Sequence, residues 1–209
     1  MDAEKNYLLI VEDDPDILKL LDTTLAFKGY RVVTARNGKE GLEAVHKERP
    51  RIVIADIMMP KLDGFGLVHR LRLDPATRDI PVIFITATYV TPEDKDFALS
   101  IGATRFIQKP VDLDEFLKIV AELLKQGALP ATEPLKEFNF YDGYRIRIEA
   151  KLAQKNKQIA RDEHLLKTRE DEGNESLLAS LRLARDEREE LKLLLNQVRE
   201  QLEKIPKTE

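Results

Sequence analysis

The chain of 209 residues contains no cysteine, which excludes a disulfide framework and any thiolate metal site. Histidine is almost as scarce: only His46, His69 and His164 occur, scattered, so an imidazole-bound zinc centre is not expected. Tryptophan is absent and aromatics make up 6% of residues, while charged residues reach 34%, so part of the chain reads as solvated helix rather than globule. No apolar run approaches the ~18–20 residues of a membrane span. The opening Met-Asp-Ala-Glu-Lys does not read as a signal peptide, and a cytoplasmic location is the expectation. An excess of positive charge is missing too. Residues 1–125 carry 18 basic and 21 acidic side chains, net −3, and the other 84 residues carry 16 and 17, net −1. Direct contact with a DNA backbone is therefore not expected.

What is present begins with an alternation. Apolar runs rich in valine and isoleucine cover 7–11, 31–35, 52–55, 82–86 and 105–107, and helical patterns cover 17–27, 39–47, 64–73, 92–100 and 113–124. Near-continuous apolar strands separated by helices indicate a parallel sheet covered on both faces. Asp14-Pro15 and Thr91-Pro92 each offer an N-cap followed by proline at the first helical position. Gly29 and Gly102 stand where C-terminal caps are expected. Five βα units without an early GxGxxG predict an α/β, flavodoxin-like, doubly wound sheet of order 2-1-3-4-5 over residues 1–125. In such sheets the ligand site lies beyond the carboxyl ends of strands 1 and 3.

Residues 126–138 hold Gly127, Pro130 and Pro134 and read as a linker. Residues 139–209 read as a helical coiled-coil tail. In its second half, Leu181, Arg188, Leu195 and Leu202 at heptad position a alternate with Leu177, Ala184, Leu191, Val198 and Ile205 at d. In the first half, Leu152, Ile159 and Leu166 repeat every seven residues, but their partner column is Ile148, Lys155, Asp162 and Arg169. The two registers break near Gly173-Asn174. Two architectures fit: a long parallel dimeric coiled coil with a skip at Gly173, or an antiparallel hairpin turning there. The narrow apolar face of the first arm favours the dimer.

Chemistry gathers at the carboxyl ends of the strands. Strand 1 ends in Glu12-Asp13-Asp14, and strand 3 ends in Asp56 within Asp56-Ile57-Met58-Met59-Pro60-Lys61-Leu62-Asp63-Gly64. Strand 4 ends in Thr86-Ala87, and strand 5 runs into Lys109-Pro110. Three carboxylates at one sheet edge repel, so they need a cation or lose their charge. Hard oxygen ligands without histidine or cysteine suit Mg2+. Asp56 can then act as a nucleophile toward phosphorus, with Lys109 supplying a compact positive charge and the Thr86 hydroxyl one hydrogen bond. Asp14 reads as an N-cap, and Asp63-Gly64 as loop geometry and capping.

Over residues 6–125 this arrangement resembles the receiver domain of two-component response regulators. The resemblance implies that Asp56 is the phosphoacceptor and that Asp13, Asp56 and the Met58 backbone carbonyl ligate Mg2+, with Glu12 reaching the ion through water. It implies that Thr86 and Phe106 form a switch pair and that Lys109-Pro110 is a cis peptide. The partners implied are a histidine kinase or phosphotransfer protein, with a homodimer or a partner helix engaged by the tail. The reading is a phosphorelay switch rather than an enzyme. A Mg2+-dependent aspartyl-phosphate hydrolase fits less well, because Met58 stands where a second acid/base would follow Asp56 and no cap insertion encloses a substrate. A phosphorylation-independent scaffold fits poorly with the complete acidic set.

Overall fold

The computed structural model describes residues 7–127, 134–168 and 174–206. It falls into two compact units, Met1–Leu135 and Lys136–Glu209. Among the described residues, no helix is long and apolar enough to cross a membrane.

The first unit alternates β1 (Tyr7–Val11), α1 (Pro15–Phe27), β2 (Arg31–Ala35), α2 (Gly38–Lys47), β3 (Ile52–Ala55), α3 (Gly64–Leu73), β4 (Val82–Thr86), α4 (Pro92–Ser100), β5 (Arg105–Gln108) and α5 (Leu113–Gln126). The strands form one parallel sheet of order β2-β1-β3-β4-β5, the flavodoxin-like order expected from the sequence. Alternate strand residues divide the core. Leu8, Ile10, Ile52, Ile54, Ile83 and Ile85 pack with Leu21 and Leu25 of α1 and with Phe116, Val120 and Leu123 of α5. Their strand neighbours Leu9, Val53 and Phe84 are also fully buried, as sheets covered on both faces require.

Local capping places the helix starts. Asp14 accepts hydrogen bonds from the N–H groups of Asp16 and Ile17. Thr91 and Asp94 form a reciprocal capping box on α4. After α1, Gly29 at φ +82° lets its own N–H reach the Ala26 carbonyl and that of Tyr30 reach Leu25. The helices differ from the sequence expectation only at their edges. α5 continues to Gln126 and stops at Gly127, whose N–H bonds to the Leu123 carbonyl. The next helix starts at Glu137, two residues before the expected tail.

The second unit is a pair of long helices, α6 (Glu137–Thr168) and α7 (Asn174–Lys204), folded back on each other. Their ion pairs give the direction: Glu149 pairs with Arg199, Lys155 with Glu187 and Glu163 with Arg185, so α7 rises as α6 falls. The tail is therefore the antiparallel hairpin, and the expectation that favoured a parallel dimeric coil is corrected. The physical reason lies in the first arm's charged column. Lys155 is answered by Glu187 across the hairpin, while Ile159 and Leu166 pack with Leu181 and Ala184. Leu191, Leu195 and Val198 are buried as the heptad required, and Arg188 is half-buried beside Glu189. The expected break at Gly173 lies outside the described residues.

Because the chain has no native cysteine, spin labels can be placed at Asn156→Cys and Glu190→Cys, both exposed. A continuous parallel coil separates them by 34 residues, about 50 Å along the axis. The hairpin predicts an intrachain distance of about 20 Å or less, measurable by double electron–electron resonance in chains diluted with unlabelled protein.

Candidate functional site

The sheet order makes β1 and β3 neighbours, so the residues that follow them meet at the carboxyl edge. Two backbone bonds extend the pairing beyond the strands. Glu12 N–H donates to the Ala35 carbonyl at 3.0 Å, and Asp56 N–H donates to the Val11 carbonyl at 2.9 Å. Glu12 and Asp56 are thereby turned inward, 1% and 8% exposed, while Asp13 faces solvent. One carboxylate oxygen from each of the three lies within 4.8 Å of the others.

Lys109 closes the site from β5. The Lys109 N–H bonds to the Thr86 carbonyl at 2.9 Å, which fixes where its side chain starts. Its ammonium donates to Glu12 Oε2 at 2.9 Å and Oε1 at 3.1 Å, and stands 3.5 Å from Asp56 Oδ2. The other Asp56 oxygen, Oδ1, is buried and has no hydrogen-bond partner among the described residues.

Charge is under tension here. Burial pushes the Glu12 carboxyl up to about 7, with the Asp56 charge adding to the rise and Lys109 opposing it. Burial likewise pushes Asp56 up to about 6, against the Lys109 ammonium and the Ile57 N–H. Burial disfavours the Lys109 charge, but Asp56 and Glu12 outweigh it and hold the ammonium above its ordinary value. An orphaned buried carboxylate oxygen among three hard donors fits a divalent cation with oxygen preference such as Mg2+.

The structure places the other expected residues on or just beyond β3, β4 and β5. Thr86 ends β4, fully buried, and its hydroxyl accepts a hydrogen bond from Thr88 N–H at 3.2 Å. Phe106 is half-buried on β5 and pairs in register with Phe84. Met58 is half-buried in the connection two residues beyond Asp56. Lys109-Pro110 is cis. Asp63 caps α3 by accepting from Gly66 N–H at 2.8 Å.

Residues 8–121 match the response regulator receiver domain family. The chain belongs to that family. This receiver domain is 37% identical over 127 residues to a protein described as probable transcriptional regulator ycf27 of Pyropia yezoensis, covering 61% of this chain and 51% of that protein. It is 36% identical over 143 residues to the uncharacterized transcriptional regulatory protein YkoG of Bacillus subtilis, covering 68% and 61%. The chain spans about half the length of the first curated relatives it matches. Among solved structures, it resembles the receiver domain of Francisella response regulator 1452, with a TM-score of 0.55 and 28% identity, covering 59% of this chain and 98% of that one. It also resembles chemotaxis response regulator CheY4 of Vibrio cholerae, with a TM-score of 0.53 and 30% identity, covering 56% and 98%. Receiver domains work with histidine kinases or phosphotransfer proteins and hold Mg2+ at an acidic pocket, the place occupied here by Glu12, Asp13 and Asp56.

Two buried residues of this receiver domain carried no expectation from the sequence. Tyr89, in the connection after β4, is wholly buried in a polar-looking stretch that offered no signal for it. Arg72 is buried on α3, where its spacing of seven from Phe65 was the one available hint that it faces inward.

Proposed function

We propose that this chain is a phosphorelay response regulator that accepts a phosphoryl group on Asp56 from a phosphohistidine of a histidine kinase or phosphotransfer protein. The observation that carries this reading is Asp56 Oδ1, a buried carboxylate oxygen with no hydrogen-bond partner among the described residues, on a side chain whose other oxygen faces an ammonium. A carboxylate so placed is desolvated and oriented, which favours attack on phosphorus. The P–O bond to Asp56 forms as the P–N bond breaks, and the departing imidazole keeps the electron pair and takes up a proton. Lys109 turns its charge toward the phosphoryl oxygens. Asp13, Asp56 and the Met58 carbonyl would hold Mg2+, with Glu12 behind them. When bound, the ion supplies positive charge that lets the carboxylates stay ionised beside the transferred group.

The switch follows from the added charge of about −1.5 to −2. The Thr86 hydroxyl donates to a phosphoryl oxygen, and Phe106 follows it. We place the output in the α6–α7 hairpin, as a surface for a partner helix or a second copy. The curated relatives named above are described as transcriptional regulators, but the near-balanced charge of this chain supports protein contacts rather than its own contact with DNA.

The test is incubation with phosphoramidate and Mg2+, followed by intact mass measurement. The wild type gains the mass of one phosphoryl group and Asp56→Asn gains none. Uptake by Asp56→Asn overturns the assignment, and sustained turnover of p-nitrophenyl phosphate would favour a hydrolase instead.

A further inference from the structure

The α6–α7 hairpin covers one face of α7 and leaves another bare. Leu181, Ala184, Leu191, Leu195 and Val198 are buried along the seam. Roughly 150° round the helix from that seam lies a second stripe, made of Glu175, Leu178, Arg182, Glu189, Leu193 and Asn196, all exposed. The six fall within an arc of about 60°. Leu178 and Leu193 keep 41% and 65% of their surface in water, so the stripe is apolar at two points and charged between them. Arg182 makes no ion pair among the described residues. Glu189 meets Arg188 at 2.9 Å and Lys192 at 3.0 Å, exposed pairs within its own helix that hold it loosely.

The order of these residues is self-complementary. Leu178 and Leu193, Arg182 and Glu189, and Glu175 and Asn196 stand in pairs at equal distances from the midpoint between Arg185 and Asp186. A second α7 laid antiparallel about a two-fold axis at that midpoint brings Leu178 to Leu193, Arg182 to Glu189 and Glu175 to Asn196, each pairing made twice. The first is apolar, the second joins opposite charges, and the third sets a carboxylate before an amide donor. Arg185, beside the axis, is held by Glu163 of α6 at 2.6 Å. Other arrangements lose the match. A parallel pair sets Arg182 against Arg182 and Glu189 against Glu189. Leu183 is 60% exposed but lies off the stripe, and a two-fold that paired it with Leu193 would set Asp186 against Glu190. Charge therefore selects one register.

We infer that the bare stripe of α7 is a homodimer surface, closed by a second copy of this chain in antiparallel register. This rests on the placing of the output in the hairpin, names its occupant, and is independent of the chemistry at Asp56. The stripe runs along about 32 Å of helix. It carries only two leucines per copy, so the dimer belongs with the weak, exchanging interfaces, with a Kd on the order of 50 µM.

Sedimentation equilibrium of the full chain, from about 5 to about 500 µM and without any phosphoryl donor, tests it. Wild type moves from 24.0 kDa toward twice that mass as concentration rises. Leu193→Glu raises the Kd about a hundredfold, because a carboxylate then faces Leu178. Arg182→Glu and Glu189→Arg each raise it about tenfold, because like charges meet twice. The double variant Arg182→Glu/Glu189→Arg returns to within about threefold of wild type, since the pair is restored with its signs exchanged. All three positions are exposed, and helix content by circular dichroism verifies that each variant is folded. A chain that stays monomeric across the range overturns the proposal and leaves the stripe to a helix of another protein. A dimer indifferent to Leu193→Glu overturns it by placing the contact elsewhere. A double variant no better than the single ones overturns the antiparallel register. Phosphoryl uptake by Asp56, measured by intact mass, stands or falls separately from each of these results.

Discussion

Replacing Lys109 with methionine is expected to lower the stability of the receiver domain by about 3 kcal/mol near neutral pH, read from the urea midpoint. Methionine keeps the length and apolar stem but removes the ammonium that stands 2.9 Å from Glu12 and 3.5 Å from Asp56. Two buried carboxylates would then face each other with only Asp13 beside them. The figure sits at the low end for breaking a buried pair because the lysine side chain keeps 15% of its surface in water. Acid should close the gap. As Glu12 and Asp56 protonate, the ammonium loses the charges that outweigh its own burial, so the variant's deficit should close, and then reverse, below about pH 5. On the phosphotransfer reading, the same variant should take up a phosphoryl group slower by on the order of a hundredfold, since a donor to the transferred oxygens is gone. Equal stability at neutral pH would show that Lys109 does not hold the pair together.

Asp56→Asn should act in the opposite direction. The Asp56 carboxyl rises from 3.8 to about 6 in the fold, so the folded state binds its proton more tightly than the unfolded chain. Stability from this group therefore declines as pH rises from about 4 to about 6, and the penalty is complete above that interval. The rise corresponds to about 3 kcal/mol as an upper figure. Asparagine removes the titration, so the variant should be the more stable protein at pH 8 and the gap should vanish near pH 4. The comparison of the two proteins is the decisive measurement. Exposed, ion-paired carboxylates such as Glu48 and Glu163 are held below their ordinary range, so they contribute with the opposite sign and cancel in the difference. Thermal midpoints across that pH range would give it. Mg2+ should raise the wild-type midpoint at pH 8, where it compensates the carboxylates, and should do much less for Asp56→Asn. A wild type that gains on the variant as pH rises would contradict the account.

Most of the first unit was legible from local rules. Four of the five strands match the expected residues, and β5 is longer by one. The reason is that valine and isoleucine runs and the caps at Asp14 and Thr91 act within a few residues of themselves. The meeting of the acidic groups was legible for a different reason. Glu12, Asp13 and Asp56 come directly after β1 and β3, and a parallel sheet of this order brings the ends of those strands to one edge. The contact between Lys109 and Glu12, 97 residues apart, was not legible as a contact. Neither were the buried places of Arg72 and Tyr89, because a polar side chain enters the interior only where a particular partner or cavity receives it.

The tail marks the boundary between the two kinds of information. The heptad of α7 determined that a seam of leucines had to be covered, and Leu181, Leu191 and Leu195 are buried accordingly. Periodicity does not name what covers it, since a second copy and a returning arm present the same apolar stripe. The fold decided for the returning arm, α6, where Lys155 meets Glu187 and Glu163 meets Arg185. Residue order alone settled which helices, strands and acidic groups exist. Which distant faces meet was settled only in three dimensions, because pairings between far-apart residues depend on the whole packed arrangement and not on any local stretch of chain.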